Sequence, residues 1–90
     1  MGIDTHHCFK KNNRILLKEI NGVPALIDMY RRTQMGLNPT ALEIWLLLDG
    51  CHSVCAIIEK LKEEFDVDVK MLERDILGFF RDLIRREMIQ

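Results

Sequence analysis

Six residues carry most of the metal and nucleophile chemistry this chain could offer, and they fall in two clusters: His6, His7 and Cys8, then Cys51, His52 and Cys55. Cysteine thiolates and histidine nitrogens suit zinc. Yet C-H-x-x-C is not one of the paired-knuckle spacings of structural zinc sites, and the first cluster lies in a stretch without hydrophobic periodicity. These are read as stray thiols and imidazoles, and no metal site is expected. Cys51 and His52 are neighbours in sequence, which does not by itself aim a base at a nucleophile. No glycine-rich phosphate loop, nucleophile elbow or paired-carboxylate constellation appears. The sequence therefore assigns no catalytic residue and no cofactor, and the chain is read as a non-enzyme.

Its 90 residues, 48% hydrophobic and 30% charged, suffice for one core and not two. The longest apolar run, Ile44 to Leu48, is far short of the ~20 residues of a spanning helix. Met1 to Cys8 has no apolar signal-peptide region, and an odd number of cysteines points to reduced thiols. A cytoplasmic protein that spans no membrane is expected.

Charge is unevenly spread. Thirteen Lys and Arg face fourteen Asp and Glu, a net −1. The basic excess lies in Met1 to Leu37 and the acidic excess in Asn38 to Gln90. From Ser53 onward seven basic residues meet nine acidic ones. Neutralising DNA phosphates needs a positive surplus on the docking face, so a nucleic-acid partner is not expected.

These residues must be carried by two kinds of element. Residues up to Asn13 show no period and are read as a flexible tail, 1–13, ahead of one domain, 14–90. Arg14 to Ile20 and Val23 to Asp28 read as strands joined by Asn21-Gly22, the pair that best takes a type I′ turn. Arg32 to Leu37 reads as a third strand after a turn at Met29 to Arg31. At Asn38-Pro39-Thr40 the period changes to helical, with Ala41, Ile44, Trp45 and Leu48 on one face and Asp49-Gly50 as the stop. Ser53 caps a second helix facing inward through Val54, Ile57, Ile58, Leu61 and Phe65. A third runs from after Asp68 to about Arg86 on a core stripe of Val69, Leu72, Ile76, Phe79, Phe80 and Leu83.

At about 100° per residue, Lys70, Arg74, Arg81 and Arg85 gather opposite that stripe. Leu77 and Ile84 lie on one flank, Asp75 and Asp82 on the other. An apolar shoulder beside a cationic ridge can line a groove for an extended, acidic segment, although four basic residues on an exposed helix are as readily a solvated face.

Several pieces of the chain form a known pattern: Ala25-Leu26-Ile27-Asp28, Leu37-Asn38-Pro39-Thr40-Ala41, Ile44-Trp45, Leu48-Asp49-Gly50, Ser53-Val54, and Asp75-Ile76 followed by Phe79-Phe80 and Leu83. Together they resemble the PqqD-like family, the precursor-peptide recognition elements of ribosomally made, modified peptide pathways. The resemblance implies an α+β fold, a winged helix-turn-helix of three antiparallel strands followed by three helices. It also implies a function: capture of a precursor's leader region as a strand added to the third strand, lying against the third helix. The peptide would then pass to a modifying enzyme, often a radical S-adenosylmethionine enzyme, or to a leader peptidase. On that basis the expected peptide-binding residues are Arg31, Arg32, Thr33, Gln34, Met35, Lys70, Arg74, Leu77, Arg81 and Ile84. Arg31 and Arg32 would deter self-pairing of the open edge and hold an acidic leader. Two departures from the family pattern stand out, since neither the turn at Tyr30 to Arg32 nor position Glu87 has the glycine often found there. The alternatives are a winged-helix DNA-binding regulator and a structural interaction domain.

Overall fold

The computed structural model describes residues 2–90. Strands β1 (Ile15–Ile20), β2 (Val23–Asp28) and β3 (Thr33–Gly36) precede helices α1 (Pro39–Leu46), α2 (Val54–Glu64) and α3 (Val69–Arg85). The strands form one antiparallel sheet in the order β1-β2-β3, the α+β arrangement expected from the residue pattern. Asn21 (φ 51°) and Gly22 (φ 83°) turn β1 into β2, both with the positive φ that a type I′ turn demands. The second turn is built on Asp28, whose buried Oδ1 accepts from the Tyr30 and Arg31 amides at 3.0 and 3.1 Å and from Arg14 Nε at 3.2 Å. Arg32 closes it at φ 56°, in the left-handed region, so β3 begins at Thr33 and not at Arg32 as the sequence pattern predicts.

Burial pushes the Asp28 carboxyl up, but the Arg31 amide, the Arg14 guanidinium and the Tyr30 amide together outweigh it and hold the group below its ordinary value. A charged residue in the core is thereby kept ionised and paired.

Each helix starts where a capping side chain sits. Asn38 Oδ1 accepts from the Ala41 amide at 2.8 Å, Ser53 Oγ from Ala56 at 3.0 Å, and Asp68 Oδ1 from Lys70 at 2.9 Å. At the far end of α3 the Met88 amide donates to the Leu83 carbonyl at 2.9 Å and the Glu87 amide to Ile84 at 3.0 Å. That is a Schellman stop with Glu87 (φ 56°) in the place glycine usually takes.

One sheet face packs on the helices through Ile15, Leu26 and Leu37, while Ile44, Ile57, Ile76, Phe80 and Leu83 fill the centre. Burying each of these large side chains contributes about 1.5–3 kcal/mol. Val69 was expected in the α3 stripe but is 46% exposed, because it opens the helix before the packed turns begin. Lys62 clips α2 to α3 by reaching Glu73 at 3.0 Å and Glu59 at 3.3 Å.

The expected flexible tail is instead tied down where it is described, while Met1 lies outside the described residues. Thr5 and His7 carbonyls accept from the Cys55 and Val54 amides, Phe9 from Gly50, and Lys10 exchanges bonds with Gln90 in both directions. Phe9 lies 5.7 Å from Phe80, centroid to centroid. The backbone pairing and the apolar contact of Ile3 and Phe9 hold the segment, neither of which has a periodic signature in a stretch this short.

Candidate functional site

The free edge of β3 is the most distinctive chemical feature of the surface. In an antiparallel ladder, opposed residues alternate between pairs that exchange hydrogen bonds and pairs that do not. Ala25 faces Gly36 and Leu26 faces Met35, so Pro24 faces Leu37, whose amide donates to the Pro24 carbonyl at 2.8 Å. Counting back by two, Met35 and Thr33 also spend their backbone groups on β2. Gln34 and Gly36, both exposed, turn theirs to the open side.

The strand's own side chains divide by face. Met35 is half-buried and packs on the core, on the helix side; Gln34 and Gly36 are on the outer face with Ala25 and Ile27. Thr33, Gln34 and Arg32 border a hollow of about 510 Å³ together with Ile27, Asp28 and Met29. Arg31 is committed elsewhere: its guanidinium reaches Glu87 Oε1 at 2.9 Å and the Arg86 carbonyl at 3.1 Å. It therefore staples the β2–β3 turn to the end of α3.

On α3 the two flanks meet different neighbours. Asp75 and Phe79 line a cleft of about 120 Å³ with the cap Asn38 and with Thr40, Ala41 and Ile44 of α1. Asp75 also borders a second cleft of about 160 Å³ with Thr40, Phe65, Val67, Met71 and Leu72. Arg81, Ile84 and Arg85 instead surround a hollow of about 420 Å³ with Gly2, Ile3, Asp4 and Phe9 of the N-terminal segment. Leu77 is half-buried on that same flank, and Lys70 and Arg74 are exposed on the ridge away from the core. Arg81 and Ile84 thus border the N-terminal segment. The spacing of residues fixes two flanks of α3 but not which one the sheet lies beside; α1 takes the Asp75 side and α2, through Lys62 and Glu73, the other.

The cleft between α1 and α3 is accordingly lined by one carboxylate, Asp75, and one aromatic ring, Phe79. Sequence reading missed Asp75, Phe79 and Gly36. Asp75 was legible only as a flank of α3, Phe79 only as part of its core stripe, and Gly36 only once the strand parity was known. Among the described residues no helix is long and apolar enough to cross a membrane, and no cluster of three or more His, Cys, Asp or Glu is placed to hold a metal ion.

A three-stranded sheet with one open strand edge, followed by three helices, defines the class. The chain belongs to the family of coenzyme PQQ synthesis protein D (PqqD), whose sequence profile matches residues 25–89. No curated protein sequence gives a significant match. Two solved structures share the fold. TbiB1 in complex with the TbiA(beta) leader peptide is 26% identical at a TM-score of 0.74, covering 90% of this chain and 94% of that one. Lasso peptide synthetase B1 complexed with the leader peptide is 28% identical at a TM-score of 0.74, covering 92% and 98%.

Proposed function

We propose that this protein is a non-catalytic recognition element that captures the leader of a ribosomally made precursor peptide. The leader pairs as a fourth strand with Gln34 and Gly36 and is presented to a maturation enzyme, a radical S-adenosylmethionine enzyme or a leader peptidase. The observation that carries this reading is the outward-facing pair of backbone groups on an exposed edge, in a chain whose two similar structures are leader-peptide complexes. An open edge is an aggregation hazard, so leaving it open is intelligible when a ligand completes it. Strand addition supplies sequence-independent hydrogen bonds, and the neighbouring surfaces supply selectivity. Met35, Phe79 and Asp75 on the helix side, and Thr33, Gln34 and Arg32 at the edge, are the residues the leader meets. The exposed free thiols of Cys51 and Cys55 fit a reducing cytoplasm.

Calorimetric titration of the full chain with the leader halves of short precursors encoded beside its gene tests the proposal, with random duplex DNA at low salt as the second arm. Saturable peptide binding is expected. Salt-dependent duplex binding without peptide binding would overturn it in favour of a DNA-binding regulator.

A further inference from the structure

The outer face of the sheet is notched where the open edge is reached. Ala25 and Gly36 face each other directly across β2 and β3, in a pair that exchanges no hydrogen bonds, so the two smallest side chains of the sheet lie side by side. Val23 and Ile20 wall this notch on one side and Gln34 on the other, leaving a hollow of about 170 Å³. The floor and the near wall are apolar, with Val23 half exposed at 50%. Nothing in the backbone requires glycine here, because Gly36 does not have a positive φ and a Cβ built on it would meet only Val23 Cγ1, at 4.0 Å. The missing side chain thus leaves room on the outer face that a larger residue would fill.

We infer that this notch is a side-chain pocket for the captured peptide, one that takes a bulky apolar or aromatic residue at the position facing Gly36. The inference rests on the strand-addition reading above and names what the added strand must carry. Gly36 aims its own backbone groups at the free edge, so a peptide residue hydrogen-bonded to it projects its side chain on the same face. The added strand would run about 4.8 Å from β3, and a side chain leaning inward from there covers the glycine and reaches Ala25 and Val23. Covering an edge glycine with a cross-strand aromatic is a general way to recover the packing that glycine forfeits. Only two residues of β3 offer outward backbone groups, so pairing alone gives little affinity or selectivity, and the apolar notch supplies both.

The test selects random twelve-residue peptides by messenger display on three immobilised full-length proteins: the parent, Gly36→Val and Gln34→Pro. The parent should enrich peptides with Phe, Tyr, Trp, Leu or Ile at one fixed position, and its best peptide should weaken at least about tenfold when that residue becomes Ala. Gly36→Val should still enrich peptides but lose the preference at that position, and it should bind the parent's best peptide about as weakly as the parent binds the Ala version. If valine disturbs the fold, Gly36→Ala, whose added Cβ makes only the 4.0 Å contact, should show the same change in smaller degree. Equal preference on the parent and the glycine variants, with binding lost only in Gln34→Pro, overturns the pocket and leaves strand addition standing. No enrichment on the parent overturns both.

Discussion

The Leu37 amide donates to the Pro24 carbonyl at 2.8 Å, and Pro24 has no amide to return. This half-pair is the last rung of the β2–β3 ladder and fixes its parity, placing Thr33 and Met35 on the inner side and Gln34 and Gly36 on the outer. Proline is tolerated at position 24 because its partner needs only an acceptor there.

The parity makes two neighbouring substitutions opposite in effect. Thr33→Pro removes a donor aimed at β2 and pushes ring bulk into the ladder, so it should cost about 1–3 kcal/mol of stability. Gln34→Pro removes a donor aimed at solvent, so the protein should melt within a few degrees of the parent while losing most of its leader affinity. Thermal melts and calorimetry on both variants check this. If Gln34→Pro binds like the parent, the peptide does not pair with this edge.

The contrast between what the sequence disclosed and what it did not is physical. Caps at Asn38 and Ser53, the start of α3 after Asp68 and the Asn21-Gly22 turn are local devices, readable from a few residues, and each is where the spacing places it. The α3 stripe was readable too, because burial repeats with the helix. What α3 faces beyond its stripe is a property of the tertiary path, so the hollow that Arg81 and Ile84 share with the N-terminal segment was not readable. The ion pair of Arg31 was unreadable for a similar reason: its partner Glu87 lies 56 residues away in sequence.

The acidic flank predicts how charge should matter for binding. Arg74→Glu with Arg81→Glu should leave leader affinity within about twofold, since Arg74 is exposed on the ridge and Arg81 borders the N-terminal segment. Asp75→Lys should strengthen binding of an acidic leader and weaken that of a basic one, by at most about 1 kcal/mol for an exposed pair and by less at high salt. Titrations with two leaders of opposite charge, each at low and high salt, separate the flanks. An effect of the arginine pair equal to that of Asp75→Lys would return the groove to the other side of the helix.

Stability should fall in acid through two carboxylates. Asp49 is held at about 2, against an ordinary 3.8, chiefly by the His52 ring and then by the Cys51 amide at 2.8 Å. Asp28 is also lowered, its burial outweighed by the Arg31 amide and Arg14. The unfolded chain binds protons at these sites more readily than the folded one, so the contribution is fully present above about 4 and is lost as pH falls toward 2. Lys62 acts at the other end: raised by Glu73 against desolvation, it contributes below its ordinary 10.5 and loses that contribution as pH climbs past it. Urea midpoints measured from pH 2 to 11 should show both declines, and Asp49→Asn should flatten part of the acid limb. An acid limb unchanged by Asp49→Asn would show that the His52 contact contributes nothing to folding.

Two residues occupy left-handed backbone that glycine would take without strain: Arg32 at φ 56° and Glu87 at φ 56°. A non-glycine residue there costs on the order of 1 kcal/mol, offset in part because glycine makes the unfolded chain more flexible. The two should respond differently to Gly. Arg32 makes no hydrogen bond or ion pair through its side chain among the described residues, so Arg32→Gly should stabilise the domain by about 0.5 kcal/mol, or about 2–4 °C in melting temperature. Glu87→Gly relieves the same backbone but also removes the carboxylate that receives Arg31 at 2.9 Å, an exposed pair worth about 0–1 kcal/mol. Its net effect should lie near zero, and Arg31→Ala should erase the difference between the two glycine variants. The Arg31 and Glu87 substitutions, singly and together, form a double-mutant cycle by thermal melting. A stabilisation by Glu87→Gly equal to that of Arg32→Gly would mean that the staple between the β2–β3 turn and the end of α3 rests on the Arg86 carbonyl contact alone.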